Sequence, residues 1–438
     1  MIIDFDNLTN AVKNKEHYLV MGKVTEVIGL IIKVEGIEAF IGEVCEIIIR
    51  STKTIVLAEV VGFKDDCVLL MPLDEISGIG PGCLVKPTGK KLSIKISDDL
   101  LGHTLDGLGR PLDRKLKING EFYNVDREPP NPFDRRRIST IMSTGVKAID
   151  GILTCGEGQR VGIFSGSGVG KSTLLGMIAR YCEADVNVIG LIGERGREVL
   201  EFIQKDLGTD GYKKSVVVCA TSDQPPLVRL KGAFVATAIA EYFRDQGKKV
   251  MLMMDSVTRF AMAQREIGLA TGEPPSTKGY TPSVFALLPK LLERSGMSKD
   301  GSITAFYTVL VEGDDMNDPI ADAVRGILDG HIILSREIAA KNHFPSIDIQ
   351  NSISRVMKEI VAEKHYSLAG ELKENVAVYK ESEDLINIGA YVKGSNLKID
   401  RAVALNSKIN SFLKQNITES YTFDETLDLL VNSLNIDN

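Results

Sequence analysis

The chain has 438 residues, 44% hydrophobic and 25% charged, which at roughly 150 residues per domain suits a folded protein of about three domains. Acidic residues outnumber basic ones, 59 to 52, and the net charge of −7 argues against a protein that wraps nucleic-acid phosphates. No run approaches the roughly 18 apolar residues of a membrane helix. The start, MIIDFDNLTN, lacks the basic, apolar pattern of a signal peptide, and the six cysteines form no C-x-x-C pair, so a cytoplasmic setting is expected.

Ile2, Phe5, Leu8 and Val12 recur at helical spacing and predict an amphipathic segment over residues 1–20. From 21 to 92, short β-type runs (KVTEVIG, LIIKVEG, EVCEIIIR, TIVLAEVVG, CVLLMPL) alternate with glycines and predict a small β-barrel. Residues 101–137 read as turn-rich chain ending in a proline-rich linker, with Arg135–Arg137 as a solvated triplet. Beyond Arg160 the buried-type runs VGIFS, VNVIGLIG, SVVVCA, VMLMMD and ITAFYTVL alternate with helical patterns at 171–182, 196–207 and 225–245. That alternation specifies a parallel sheet covered by helices, an α/β core spanning 93–365. Residues 366–438 read as a helical C-terminal domain.

SGSGVGKST, residues 165–173, follows a strand pattern and precedes a helical one. Gly166, Gly168 and Gly170, with Ser167 and Val169, can turn backbone N–H groups around phosphate oxygens, and the helix N-terminus adds its dipole. In such a loop Lys171 reaches the β- and γ-phosphates, Ser172 ligates Mg²⁺, and Thr173 is a further nucleotide-binding candidate. The strict pattern has glycine where this chain has Ser165. Asp255, ending VMLMMD, is the second candidate for Mg²⁺. Glu194, in GERGRE after VNVIGLIG, would converge on the same crevice from the carboxyl end of its strand. From the residues alone, Glu194 could equally be a surface partner of Arg195 or Arg197.

GIFSGSGVGKSTLL, LIGERGREVLEF, LMMDSVTRFA, EPPSTKGYTPSVFALLPKLLERSG, GSITAFYTVLVEGDDMNDPIAD and SISRVM resemble the type III protein-export ATPases of bacterial flagella and injectisomes. These are similar to the catalytic β subunit of rotary ATP synthases and have a P-loop core of the RecA type. The resemblance implies Mg²⁺-dependent ATP hydrolysis that energises protein export, flagellar or, alternatively, injectisome. It gives Glu194 the role of activating water, and Arg355 that of an arginine finger reaching a neighbouring subunit's γ-phosphate. By itself Arg355 would be a solvated residue on a helix. The resemblance also sets Phe344 against adenine, where the alternative is a core phenylalanine, and sets Arg195 and Glu198 near the γ-phosphate and metal waters. Arg259 follows the Asp255 strand as the family expects, and Tyr391 is a candidate to approach adenine.

A finger supplied in trans implies a homo-oligomeric ring, a hexamer in the family, peripheral to the inner face of the cell membrane. Implied partners are a stator-like regulatory protein at the N-terminus, a coiled-coil stalk, export chaperones with cargo, and a membrane export gate. Three rivals share the core. Glu194 argues against a non-catalytic ring subunit, and EPPSTKGYTPSVFALLPKLLERSG and EDLINIGAYVKGSN are similar to the export family rather than to a synthase, whose acidic lever segment is not found. A hexameric RNA translocase needs stacking rings in a basic groove, whereas residues 20–90 hold two aromatics, Phe40 and Phe63, and more acids than bases.

Overall fold

The computed structural model describes residues 20–112, 116–311, 313 and 315–436. The expected N-terminal helix therefore lies outside the described residues. Among these, no helix is long and apolar enough to cross a membrane.

Six strands close the N-terminal barrel: β1 (Gly22–Ile28), β2 (Ile31–Glu35), β3 (Glu43–Ile48), β4 (Ile55–Lys64), β5 (Cys67–Pro72) and β6 (Leu84–Lys91). Their order is β1-β2-β5-β4-β3-β6, with β1 pairing β6 to complete the circle. Closure leaves no open sheet edge. Val24, Ile32, Val34, Cys45, Ile47, Ala58, Leu70 and Val85 fill the interior. The chain divides into two compact units, one holding the barrel through Leu92 together with Ile267–Glu273, the other the remaining described residues.

The second unit is built on one large sheet. Its strands are β7 (His103–Asp106), β8 (Arg160–Ser165), β9 (Val186–Ile192), β10 (Ser215–Ala220), β11 (Lys249–Asp255), β12 (Ser302–Leu310), β13 (Gly330–Leu334) and β14 (Ile353–Ser354). The order is β14-β13-β8-β12-β11-β9-β10-β7, parallel throughout except for β14; a ninth strand of two residues, Gly296–Met297, lies off this path and pairs antiparallel with β12. β9, β10 and β12 are almost wholly buried, which is why their sequences are continuous apolar runs rather than alternating ones. Helix α1 (Lys171–Tyr181) follows β8 and α2 (Pro226–Asp245) follows β10. The C-terminal helices α3 (Glu363–Asn387), α4 (Leu397–Leu413) and α5 (Phe423–Ser433) extend the same core. Leu372, Leu405, Phe412 and Leu430 join Ile149 and Ile152 in one apolar cluster.

Three expectations need correction. His103–Asp106 is not turn but the parallel edge strand beside β10, too short and polar for its periodicity to register. Arg135 is half-buried, and Arg136, though exposed, is also bonded to the core. Arg135 donates to the carbonyls of Ser295 and Glu293, and Arg136 to that of Ser298, so the linker is tacked to the core. The helix expected over 196–207 is α-helical only to Glu201 and then widens into a π-type turn through Leu207. Arg180 of α1 takes up the Lys205 and Asp206 carbonyls there, and the wide turn brings Asp206 hard against Gly176.

A buried ion pair braces the back of the sheet. Arg294, 1% exposed, donates twice to Glu241, at 2.9 and 2.6 Å, and once to the Val125 carbonyl. Removing Arg294 leaves the buried Glu241, among the described residues, only Arg127, at 4.0 Å, so Arg294→Met is expected to cost about 3–5 kcal/mol. Denaturant unfolding checks this, and a loss below about 1 kcal/mol would contradict the pair's bracing role.

Candidate active site

The phosphate loop leaves the carboxyl end of β8, a central strand between β13 and β12. Gly168 and Gly170 have φ of +79° and +87°, a left-handed backbone that favours glycine, and Gly170 caps α1. Ser165 stands where the strict pattern has glycine, but it is the last residue of β8 and has no positive φ, so the position does not require one. Val169 is buried and its carbonyl accepts from Ser346 Oγ at 2.6 Å, which fixes the middle of the loop. Gly166 is buried, Ser167 and Ser172 are exposed, and Thr173 is half-buried.

Glu194 and Asp255 lie at the carboxyl ends of β9 and β11, neighbours paired Leu191 to Asp255. Lys171 Nζ donates to Asp255 Oδ1 at 2.5 Å and stands 3.6 Å from Glu194 Oε1. The three groups of the sequence argument therefore meet. Asp255 is 4% exposed and also accepts from Thr308 Oγ1 at 2.7 Å. The sequence reading missed Thr308; its signal was a hydroxyl inside the buried run ITAFYTVL.

Burial pushes the Glu194 carboxyl up, Asp255 pushes it further, and Lys171 pulls it back, leaving it at about 7. Burial works against the Lys171 charge, but Asp255 and Glu194 more than offset it, and its pKa lies above the ordinary lysine value. Arg195, 70% exposed, pairs with Glu198 at 3.3 Å beyond Glu194. Arg259, on the helix after Asp255, packs against Gly193. The side chain of Phe344 is 42% exposed, and a methyl built on Gly170 would lie 3.4 Å from its Cδ1, so the ring stands over the loop's end rather than in the core.

Two residues are not brought to this site. Arg355 is not on a helix but in the bend after β14, exposed, with its N–H on the Asp329 carbonyl. That is the amino end of β13, whose carboxyl end, Leu334, pairs with Ser165. At about 3.3 Å per residue, Arg355 lies about 15 Å along the sheet from its own phosphate loop. Tyr391 faces its own segment: its hydroxyl bonds to Asn396 O in the turn and to Asp400 Oδ1 in the first turn of α4, both at 2.9 Å. This turn joins α3 to α4 and is a helix length, about 25 Å, from the end of α4 that meets Phe344. The structure therefore does not bring Tyr391 to Phe344 within one chain.

A Mg²⁺ ion fits the donor set. No cluster of three metal-ligating side chains occurs among the described residues. Mg²⁺ bound with a nucleotide needs none, because phosphates and water supply most of its oxygens. One hydroxyl, Ser172, and one carboxylate, Asp255, suffice from the protein.

Comparison with known proteins places the whole chain in a family. Three family models match: the ATP synthase alpha/beta family beta-barrel domain over 24–89, that family's nucleotide-binding domain over 145–354, and the T3SS EscN ATPase C-terminal domain over 361–432. The flagellum-specific ATP synthase of Bacillus subtilis (strain 168) is 54% identical, over 97% of each chain. The type 3 secretion system ATPase of Xanthomonas euvesicatoria is 53% identical over 93% of each. The solved structure of the assembled ATPase EscN from the type III secretion system of enteropathogenic E. coli superposes with a TM-score of 0.90 at 48% identity, covering 94% of this chain and all of that one. EscN with its central stalk EscO gives 0.87 over the same shares, at 47% identity. The chain thus belongs to the flagellar and type III secretion ATPases, a branch of the ATP synthase alpha/beta family.

Proposed function

We propose that this chain hydrolyses ATP with Mg²⁺, at a site completed by a second copy, and so energises export of protein subunits through a flagellar type III apparatus. The observation that carries the reading is the meeting of Lys171, Glu194 and Asp255 at the phosphate loop. The loop's N–H groups and Lys171 bind the β- and γ-phosphates. Glu194 holds the attacking water in line and accepts its proton, for which a carboxyl raised to about 7 is suited. Ser172 and Asp255 hold Mg²⁺, which when bound neutralises phosphate charge. Phe344 stacks on the nucleobase. Arg195, with Glu198 beside it, supports the γ-phosphate.

Arg355, being remote from its own loop, serves the loop of a neighbouring copy. A site built in this way requires a closed ring, a hexamer in this reading. The ring works in the cytoplasm at the inner face of the membrane, beside an export gate, and receives chaperones with their cargo. A coiled-coil stalk serves it as EscO serves EscN, and a regulatory protein engages residues 1–20.

Because hydrolysis requires assembly, specific activity is expected to rise with protein concentration and then level off. A flat profile through the range where sedimentation reports monomer would overturn the shared site. For the flagellar role, the gene should restore swarming to a Bacillus subtilis strain lacking its own flagellum-specific ATP synthase. Failure of an expressed, hydrolysis-competent chain to do so would favour the injectisome role, to which the 53% identical Xanthomonas relative points.

A further inference from the structure

Where α4 ends, the chain turns and passes alongside Phe344 on its way to α5. Gln415 stands at this crossing, 6% exposed. Its backbone N–H donates to the Phe344 carbonyl at 3.0 Å. Its side chain reaches the opposite way. Nε2 donates to the carbonyls of Gly145 (2.8 Å) and Glu419 (3.0 Å), and Oε1 accepts from Lys147 N–H at 2.9 Å. A carboxamide is the uncharged side chain that can donate and accept in this way at once.

What Gln415 grips is rigid. Thr144 N–H and Gly145 N–H both donate to the fully buried Asp150 carboxylate, which also takes the Ser143 and Thr144 hydroxyls. On the other side of Phe344, Ser346 is tied to the phosphate loop through the Val169 carbonyl. The Phe344 backbone is thus held between the phosphate loop and Gln415. Its ring opens onto a cavity of about 900 Å³ lined by Lys147, Asn410, Lys414, Gln415 and Tyr421. That volume is at the upper end of those that take small-molecule ligands.

The geometry points to Gln415 as a positioning residue for nucleotide binding, one that holds the Phe344 ring at stacking distance from the nucleobase. This rests on the reading of Phe344 as the nucleobase contact. Gln415 is remote from the reacting groups and touches none of Lys171, Glu194 or Asp255, so its loss weakens ATP binding and leaves the chemical step unchanged. Gln415→Met fills the same volume but leaves Gly145 O, Glu419 O and Lys147 N–H without their side-chain partner, so the 415 backbone N–H that meets the Phe344 carbonyl is no longer tied to the Gly145–Lys147 turn. The crossing has a second anchor two residues on, since the Ile417 carbonyl accepts from Arg180 and Tyr181 of α1, so the variant folds while residue 415 itself is held less firmly against Phe344.

The test is a double-mutant cycle with Phe344→Ala, read as KM and kcat for ATP on full-length chains shown by thermal melting to be folded. Phe344→Ala is expected to raise KM about tenfold, and Gln415→Met about five- to tenfold with kcat within about twofold, because only ground-state binding is lost. On the Phe344→Ala background, Gln415→Met should add less than about twofold, since two residues acting through one contact are not additive. An unchanged KM in Phe344→Ala overturns the nucleobase reading and the positioning role with it. A raised KM in Phe344→Ala, with Gln415→Met lowering only kcat or acting equally in both backgrounds, overturns the positioning role alone. Should Gln415→Met not fold, Gln415→Asn, too short to reach Gly145 and Lys147, is read against the same outcomes.

Discussion

Glu194→Gln is expected to bind nucleotide and assemble normally while hydrolysing ATP roughly 10²–10⁴-fold more slowly, the range a positioned general base contributes. The exchange keeps the length and shape of the side chain and removes its basicity, leaving Lys171 and Asp255 in place. The wild-type carboxyl, raised to about 7 mainly by burial, accepts no proton from water once it is itself protonated. The wild-type rate should therefore fall as pH drops through about 7, and the residual rate of the variant should lack that limb. Stability runs the other way. Unfolded, Glu194 gives up its proton near the ordinary glutamate value, about 4.3. Folded, it keeps the proton up to about 7, so across that window the folded state binds more protons and stability is lost as pH rises. Glutamine has no proton to lose. The variant should thus melt above the wild type at about pH 8 and level with it at about pH 4, and calorimetry at both values with phosphate release reads both effects. Near-normal turnover in the variant would remove Glu194 from the mechanism, and equal melting at about pH 8 would mean that its buried charge costs nothing.

The parts of this molecule that were legible in the sequence are those whose physics is local. SGSGVGKST carries its left-handed glycines, its lysine and its helix start within nine residues, and both flanking elements follow from their periodicity. Asp255 was legible because a buried strand ending in a carboxylate has few other uses. Glu194 was ambiguous in isolation; only the adjacency of β9 and β11, a pairing across more than fifty residues, brings it to Lys171. What stayed hidden depends on distant partners. Arg135 and Arg136 are indistinguishable in sequence from a solvated triplet, because their acceptors are carbonyls some 160 positions away. Gln415 and Thr308 carry no motif, and their roles arise from what stands opposite them in the fold. Tyr391 shows the converse, since an aromatic residue in a motif-bearing segment suggested a place at the nucleobase, whereas its hydroxyl is engaged by Asn396 and Asp400 a helix length from Phe344.

Arg355→Ala is expected to lower hydrolysis by about 10³–10⁵-fold, the contribution of an arginine finger that offsets charge on the transferring phosphoryl group. Stability should stay within about 0.5 kcal/mol, as for surface substitutions generally. The guanidinium is exposed, and the one hydrogen bond it makes among the described residues is a long one, 3.4 Å to the Arg325 carbonyl. A solvated arginine would be equally dispensable for stability, so the rate is what separates the two readings. Geometry also rules out service to its own site, since Arg355 lies at the amino end of β13 and the phosphate loop at the carboxyl end of the adjoining strand. Mixing with Lys171→Ala tests action across the interface. Each variant is inactive alone, one for want of a finger and the other for want of the phosphate lysine. In a random equal mixture, roughly a quarter of interfaces in a closed homo-oligomer join an intact loop to an intact finger. Mixed assemblies should therefore recover up to about a quarter of wild-type activity, less if neighbouring sites must fire in turn. Absence of any recovery, with co-assembly shown by pull-down of differently tagged chains, would leave Arg355 without a phosphate to serve. Recovery would fix the direction of the interface as well, because only one face of each subunit carries Arg355 and the other must then present the loop.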